Sequence, residues 1–344
     1  MSKKIDEQVR VTLAEDAARG ACTYPYTDAC RRYLRRRLDS GGLVSPMPHL
    51  YAAADFWRGL TPEGRAIAKM RGLVSRHCEW IFCGTSAALL YGLSVSRRLL
   101  DTIEVMSPSG TRTYHGGAVR AHHADIDEEP CAFARGLPVT SVERTLFDCA
   151  RSLPLRDSVA ILDSALRMGI IDKEALIAYV DSKPGRKGSA RARFAARFAD
   201  GRSGSGGESV ARAAMWELGF AAPDLQTEFV EPVGGHRYFA DFCWRTPEER
   251  VIVGELDGGE KYVDPRMTGG RPVEAVMRQE RLRESRLTAL VDAVVRFSPA
   301  MVADSAGFAR LLETFGVPRD RPARISVEEP PRFDEVPLAA YGLD

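Results

Sequence analysis

The sequence predicts an α/β protein of several domains, and three observations carry that expectation. At 344 residues the chain exceeds the roughly 100–200 residues of one domain. An arginine-rich helical stretch and a short hairpin open it, and residues 76–180 mix short helices with strand-like runs. Residues 203–298 then read as a helix, three strands, a helix and a strand. Composition shifts set the boundaries at 1–75, 76–180, a basic linker 181–207, 208–315 and a tail 316–344.

With 44% hydrophobic and 28% charged residues, the composition is that of an ordinary water-soluble protein with material for several cores. No apolar run approaches the roughly 18 residues of a membrane span, and MSKKIDEQVR lacks the apolar segment of a signal peptide. Seven cysteines without framework spacing are expected to be reduced thiols in a cytoplasmic protein. The net charge of +1 hides local asymmetry.

Residues 1–75 carry 13 Lys/Arg against 8 Asp/Glu. Ile5, Val9, Leu13 and Ala17 recur at i, i+4, i+8 and i+12, the apolar stripe of a first helix. Thr27 can cap a second helix, Thr27–Leu38, with Cys30, Leu34 and Leu38 inward and Arg31, Arg32, Arg35 and Arg36 opposite. After Gly41-Gly42 the runs LVS, PMP and HLYAAADFW suit a short hairpin. Helices followed by a small hairpin describe a winged helix-turn-helix, with the arginine helix where a groove-reading helix sits. The four arginines are the candidate DNA contacts, and double-stranded DNA is the expected partner. A merely solvated basic face is the alternative these residues leave open.

In the middle module, Thr85–Tyr91 reads as a helix ending at Gly92. Thr102–Met106 and Ala118–His122 read as strands, and Thr140–Ala150, Leu155–Met168 and Asp172–Val180 as helices. The motifs TSAALLYGL, GLPVTSVERTLFDCAR and ILDSALRMG resemble AbiEi-type bacterial antitoxins over about residues 25–180. That resemblance implies a winged helix bound to operator DNA ahead of a domain of this composition, and a cognate toxin as a protein partner.

The linker carries seven basic and two acidic residues. Arg191, Arg193 and Arg197 share a short helix with Phe194 and Phe198, and GRSGSGG reads as a flexible joint, the site most open to protease. Its charge either helps to hold DNA by counterion release or only confers solubility.

Gly207-Glu208-Ser209 opens a helix with Ala211, Ala214, Met215 and Leu218 at i, i+3, i+4 and i+7. Glu208 lies in its first turn, where the helix dipole favours an acid. A strand at Thr227–Val233 and a Gly234-Gly235 hairpin precede RYFADFCW and VIVGELD, two antiparallel strands joined through Arg245-Thr246-Pro247-Glu248. A turn centred on Glu248 sets Asp241 opposite Glu255. Alternation then puts Phe239, Asp241 and Cys243 on one face beside Val251, Val253, Glu255 and Asp257. Unpaired carboxylates on an apolar face cost several kcal/mol each, and a divalent cation is the common remedy. Lys261, four residues after Asp257, adds a positive charge near the cluster. A metal site is the reading; acids turned to water, or paired with arginines, are the alternatives. A charged helix near Val273–Leu290, with Arg278, Gln279, Arg281, Arg283 and Arg286, leads to a strand at Ala293–Ser298. A helix at Pro299–Phe315 and a Pro- and acid-rich tail, Val327–Pro337, follow.

The element order, with an acid in the first helix, Asp241 on the second strand and Glu255-x-Asp257 in the third, resembles the PD-(D/E)xK nuclease superfamily. The likeness is to the branch related to very-short-patch-repair endonucleases, over about Ser203–Ser298. It implies a restriction-endonuclease-like αβββαβ core in which Glu208, Asp241 and Glu255 hold Mg²⁺ or Mn²⁺. Asp241, Glu255, Asp257 and Lys261 are the catalytic residues it implies for phosphodiester hydrolysis. The sequence departs from that family at its E-x-K lysine, where Asp257 stands; Lys261 is the substitute. Proteins joining the two modules resemble an actinobacterial group. The alternative is a repressor or antitoxin whose C-terminal fold only binds.

Other features are set aside. His115, His122 and His123 do not suit a metal, because adjacent strand residues face opposite ways. Cys78 and Cys83 lack a second pair. Ser205 has no strand leading into it, and Thr140-Ser141-x-Glu143 reads as a helix cap.

Overall fold

The computed structural model describes residues 3–38, 41–107, 117–123, 131–231, 234–257 and 286–325. They fall into two compact units, Met1–Cys149 and Ala150–Asp344, both of mixed α/β type.

The first unit opens with α1 (Lys3–Ala18) and α2 (Asp28–Leu38). The Thr27 hydroxyl accepts the Cys30 N–H at 3.2 Å and so caps α2. Tyr33 and Leu34 of α2 are buried with Val9 of α1 and Tyr51, while Cys30 and Leu38 pack at the margin. A hairpin of β1 (Leu43–Met47) and β2 (Leu50–Ala53) follows, turning at His49 with φ 67°. The strand expected to run on through Asp55 and Phe56 stops at Ala53, where α3 (Ala54–Gly59) begins. Helix α4 (Pro62–Val74) is capped by the Thr61 hydroxyl, which accepts the Gly64 N–H at 3.1 Å.

A five-stranded sheet completes the unit: β3 (Ile81–Phe82), β4 (Ile103–Ser107), β5 (Val119–His123), β6 (Cys131–Ala134) and β7 (Leu137–Thr140), in the order β5-β4-β3-β7-β6. Helix α5 (Gly84–Leu90) joins β3 to β4, and α6 (Val142–Ser152), capped by the Ser141 hydroxyl, follows β7. One apolar cluster runs from Cys22 and Leu50 through Leu73 and Trp80 to Val105 and Val139. Helix α4 packs on both β2 and α5. The boundary expected at residue 75 therefore falls inside a shared core.

The second unit carries α7 (Leu155–Arg167), α8 (Lys173–Asp181), α9 (Ser189–Phe198) and α10 (Gly206–Glu217), each at the place its periodicity predicts. Helix α7 lies along α10, and two ion pairs are sealed between them. Arg156 Nε meets Glu217 Oε2 at 2.6 Å, and Arg212 Nη2 meets Asp163 Oδ2 at 2.8 Å, with every side chain at most 8% exposed. The linker expected at 181–207 is not a loose joint. Ala192, Ala195, Ala196 and Ser203 are buried in it. Arg212 also donates to the Phe198 carbonyl at 2.9 Å, and Asp163 accepts the Asp200 N–H at 2.7 Å. Long-range polar partners thus order a stretch whose composition reads as flexible.

Strands β8 (Asp224–Val230), β9 (Arg237–Arg245), β10 (Val251–Leu256) and β11 (Ala293–Phe297) form a sheet ordered β11-β10-β9-β8. The first three run antiparallel in sequence, and β11 lies parallel to β10. Helices α11 (Pro299–Ala303) and α12 (Ser305–Thr314) follow. Of the helix expected near Val273–Leu290, residues up to Ser285, with Arg278, Gln279, Arg281 and Arg283, lie outside the described residues, as does the tail beyond Ile325. Among the described residues no helix is long and apolar enough to cross a membrane.

Candidate functional site

Burial of Tyr33 and Leu34 turns the opposite face of α2 outward, and Arg31, Arg32, Arg35 and Arg36 are all exposed there. Arg31 pairs with Asp28 at 2.8 Å, and Arg36 Nε donates to the Arg32 carbonyl at 3.3 Å. Arg37, a fifth exposed cation that the helical spacing alone does not mark out, lies over the Tyr33 ring at 5.6 Å and donates to its hydroxyl at 2.7 Å. Arg35, Arg36 and Arg37 occupy the last turn of α2, the negative end of its dipole. A row of guanidinium groups on one helix face is suited to phosphate oxygens.

The acids of the second unit are held from three elements. Ser205 caps the start of α10 and is bonded to Glu208 in return. The Ser205 hydroxyl accepts the Glu208 N–H at 3.2 Å and donates to Glu208 Oε1 at 2.9 Å. Glu208 Oε2 accepts the Gly204 N–H at 2.6 Å and the Gln226 amide at 3.0 Å. The same Gln226 nitrogen reaches Asp241 Oδ1 at 3.4 Å, and Asp241 Oδ2 accepts the Leu256 N–H at 2.9 Å. Burial, then the Asp241 charge, push the Glu208 carboxyl above its ordinary pKa, against the bonds from Gly204, Ser205 and Gln226. A Cβ on Gly207 would sit 2.7 Å from Leu256 Cδ2, so a larger residue there would push the end of the Leu256 side chain aside.

The β9–β10 ladder runs from Arg245↔Val251 to Phe242↔Gly254, and Asp241 and Glu255 are the next positions along it. Their oxygens nevertheless have different partners. Glu255 is 5% exposed, and its Oε2 accepts from Arg296 Nη2 at 3.0 Å; Arg296 also stands 3.9 Å from Asp257. Phe239 departs from the expected buried face and is half exposed. The reason is coverage: β10 pairs only with Phe242–Arg245, whereas Phe239 pairs with β8 alone. Lys261 lies outside the described residues.

Does this donor set fit Mg²⁺ or Mn²⁺? Magnesium demands near-octahedral oxygen ligands at close range. Glu208 and Asp241 instead direct both oxygens at protein donors, and a guanidinium holds Glu255. Among the described residues no group of three or more His, Cys, Asp or Glu could hold a metal ion. As arranged, these acids do not fit the cation. Arg296 and Gln226 are the residues that sequence reasoning misses. Arg296 has a signal, as the lone charge in the apolar strand AVVRF; Gln226 has none.

A second polar cluster lies in the first unit. Glu104 Oε2 accepts the Thr85 N–H and the Thr85 hydroxyl, each at 2.8 Å. Its Oε1 faces His122 Nε2 at 3.2 Å and Arg120 Nη1 at 3.4 Å. Burial raises its pKa, but the bonds from His122 and Thr85 outweigh burial and hold it below the ordinary carboxylate value. Gly84, with φ 52°, lets the backbone pass, because a Cβ there would collide with the Glu104 carboxylate. His122, set aside as a metal ligand, is thus a carboxylate partner.

A protein-family model described as the AbiEi antitoxin C-terminal domain matches residues 81–194, from β3 into α9. Two uncharacterized proteins of Mycobacterium tuberculosis, MT2308 (strain CDC 1551 / Oshkosh) and Rv2248 (strain ATCC 25618 / H37Rv), are each 29% identical over 242 residues, covering 68% of this chain and 81% of the relative. Among solved structures, the RV2827C protein of Mycobacterium tuberculosis aligns with a TM-score of 0.36 at 18% identity, covering 59% of this chain and 80% of that one.

Proposed function

We propose that this chain is a DNA-binding regulator of the antitoxin type. Its winged helix reads or grips duplex DNA through Arg31, Arg32, Arg35 and Arg36, and its C-terminal sheet is retained for binding. The match of residues 81–194 to the AbiEi antitoxin C-terminal domain carries this reading. It is supported by the exposed guanidinium face of α2 beside a hairpin. A toxin protein is the natural second partner of such a domain.

One observation favours a second reading, an Mg²⁺-dependent endonuclease working through Asp241, Glu255, Asp257 and Lys261. Helix α10 precedes three antiparallel strands with β11 parallel to β10, and Glu208 and Asp241 approach one amide. The donor set weighs against it.

The two readings part on metal dependence. The regulator shifts duplex DNA in a mobility assay with EDTA present and leaves plasmid intact with Mg²⁺. Plasmid cleavage that requires Mg²⁺ and is lost in Asp241→Ala would transfer the assignment to the nuclease.

A further inference from the structure

We infer that Gln226 and Arg296 take the place of a cation among the acids of the second unit, so that the chain itself supplies the donors that hold this cluster together. The inference rests on the reading of the C-terminal sheet as a binding fold, and it adds how the acid-lined end of that sheet coheres without a metal.

The pairs Leu225↔Phe242 and Thr227↔Ala240 leave Gln226 across from Asp241. Gln226 has φ 50°, a left-handed conformation that is strained for a residue with a Cβ and persists only where surroundings enforce it. What the distortion achieves is visible in the contacts. One amide nitrogen donates to Glu208 at 3.0 Å and to Asp241 at 3.4 Å, between two carboxylates whose charges oppose each other. A carboxamide N–H₂ carries two protons and no charge, so it bridges two acceptors without requiring either acid to be neutralised.

Arg296 does the corresponding work one strand away. The parallel register sets Glu255 beside Arg296, so the pairing is fixed by the sheet. Its guanidinium meets Glu255 at 3.0 Å and Asp257 at 3.9 Å, with the Arg296 side chain 24% exposed. Asp257, two residues after Glu255, is a further carboxylate, and Arg296 stands 3.9 Å from it.

The test reads stability and cation binding, which are independent of DNA. In the full-length protein the melting temperature is expected to be the same in EDTA and in excess Mg²⁺ or Mn²⁺, with no heat of Mn²⁺ binding in titration calorimetry. Gln226→Glu places a third carboxylate between Glu208 and Asp241. It should melt lower than wild type in EDTA, recover with Mn²⁺, and show one Mn²⁺ site. Arg296→Ala should behave likewise, and Arg296→Lys should stay cation-independent. A wild-type melting temperature that rises with Mg²⁺ and ceases to rise in Asp241→Ala overturns the inference. So does a Gln226→Glu protein whose melting is indifferent to both cations. Should Arg296→Ala fail to fold, Gln226→Glu alone decides. Loss of DNA binding by the α2 arginine variants would leave all these outcomes unchanged, so the two readings fail separately.

Discussion

Arg212→Ala is the perturbation whose consequence follows most directly from the packing of the second unit. Asp163 is 0% exposed and accepts only from Arg212 at 2.8 Å and the Asp200 N–H at 2.7 Å among the bonds described. Removing the guanidinium strands a charged carboxylate in the interior and also frees the Phe198 carbonyl, which Arg212 holds at 2.9 Å. Breaking a buried pair from one side costs about 3–5 kcal/mol, because the surviving charge keeps its desolvation penalty without its partner. For a unit of the size of Ala150–Asp344 this corresponds to a fall in Tm of about 6–20 °C. Urea unfolding followed by circular dichroism measures it, with Asp163→Leu, Arg212→Leu and their combination completing a cycle. The double variant should lose less than either single one, since no charge is left buried and the apolar replacements can pack. A cost below about 1 kcal/mol for Arg212→Ala, or strictly additive single effects, would refute the claim that this pair fixes α7, α9 and α10 to one another.

Two further outcomes concern Glu104. Its folded pKa lies below its unfolded value, so the unfolded chain takes the proton first as pH falls. The stability it contributes is complete above the ordinary carboxylate range and is lost as pH drops through the folded value. Glu104→Gln should flatten the acid limb of a stability–pH profile while leaving the neutral region less affected, and an unchanged acid limb would contradict the cluster. Gly84→Ala should destabilise by about 1–2 kcal/mol in chemical denaturation, from the left-handed backbone together with the clash on Glu104, and a neutral effect would show that the turn relaxes.

The sequence is legible where local pattern decides structure. Thr27 does cap α2, the glycine after Tyr91 does close α5, and apolar spacing does locate α7 and α8. The turn after Arg245 sets a β9–β10 register that the pairs from Val251 to Gly254 follow. Strands β3, β6 and β7 escape a reading by pattern, being two to four residues long and, in β7, containing Pro138. The stretch Gly201–Gly207 misleads for a different reason. Its glycines suggest flexibility, yet Gly207 packs closely on Leu256, and Ser205 caps α10 through the Glu208 N–H. The candidate site shows the same division. The approach of Glu208 and Asp241 is what the nuclease resemblance implies, whereas Arg296 meets Glu255 across 41 residues and no spacing rule reaches that far.

The central claim is that α2 holds duplex DNA through its arginines without a metal. The most direct measurement is the slope of log K against log salt concentration for a labelled duplex in EDTA, for wild type and for the Arg32→Ala/Arg36→Ala double variant. Each phosphate that an arginine no longer neutralises takes about 0.9 from the slope, so the variant should bind more weakly and its slope should shrink by about two. Equal affinities and equal slopes for the two proteins would contradict it.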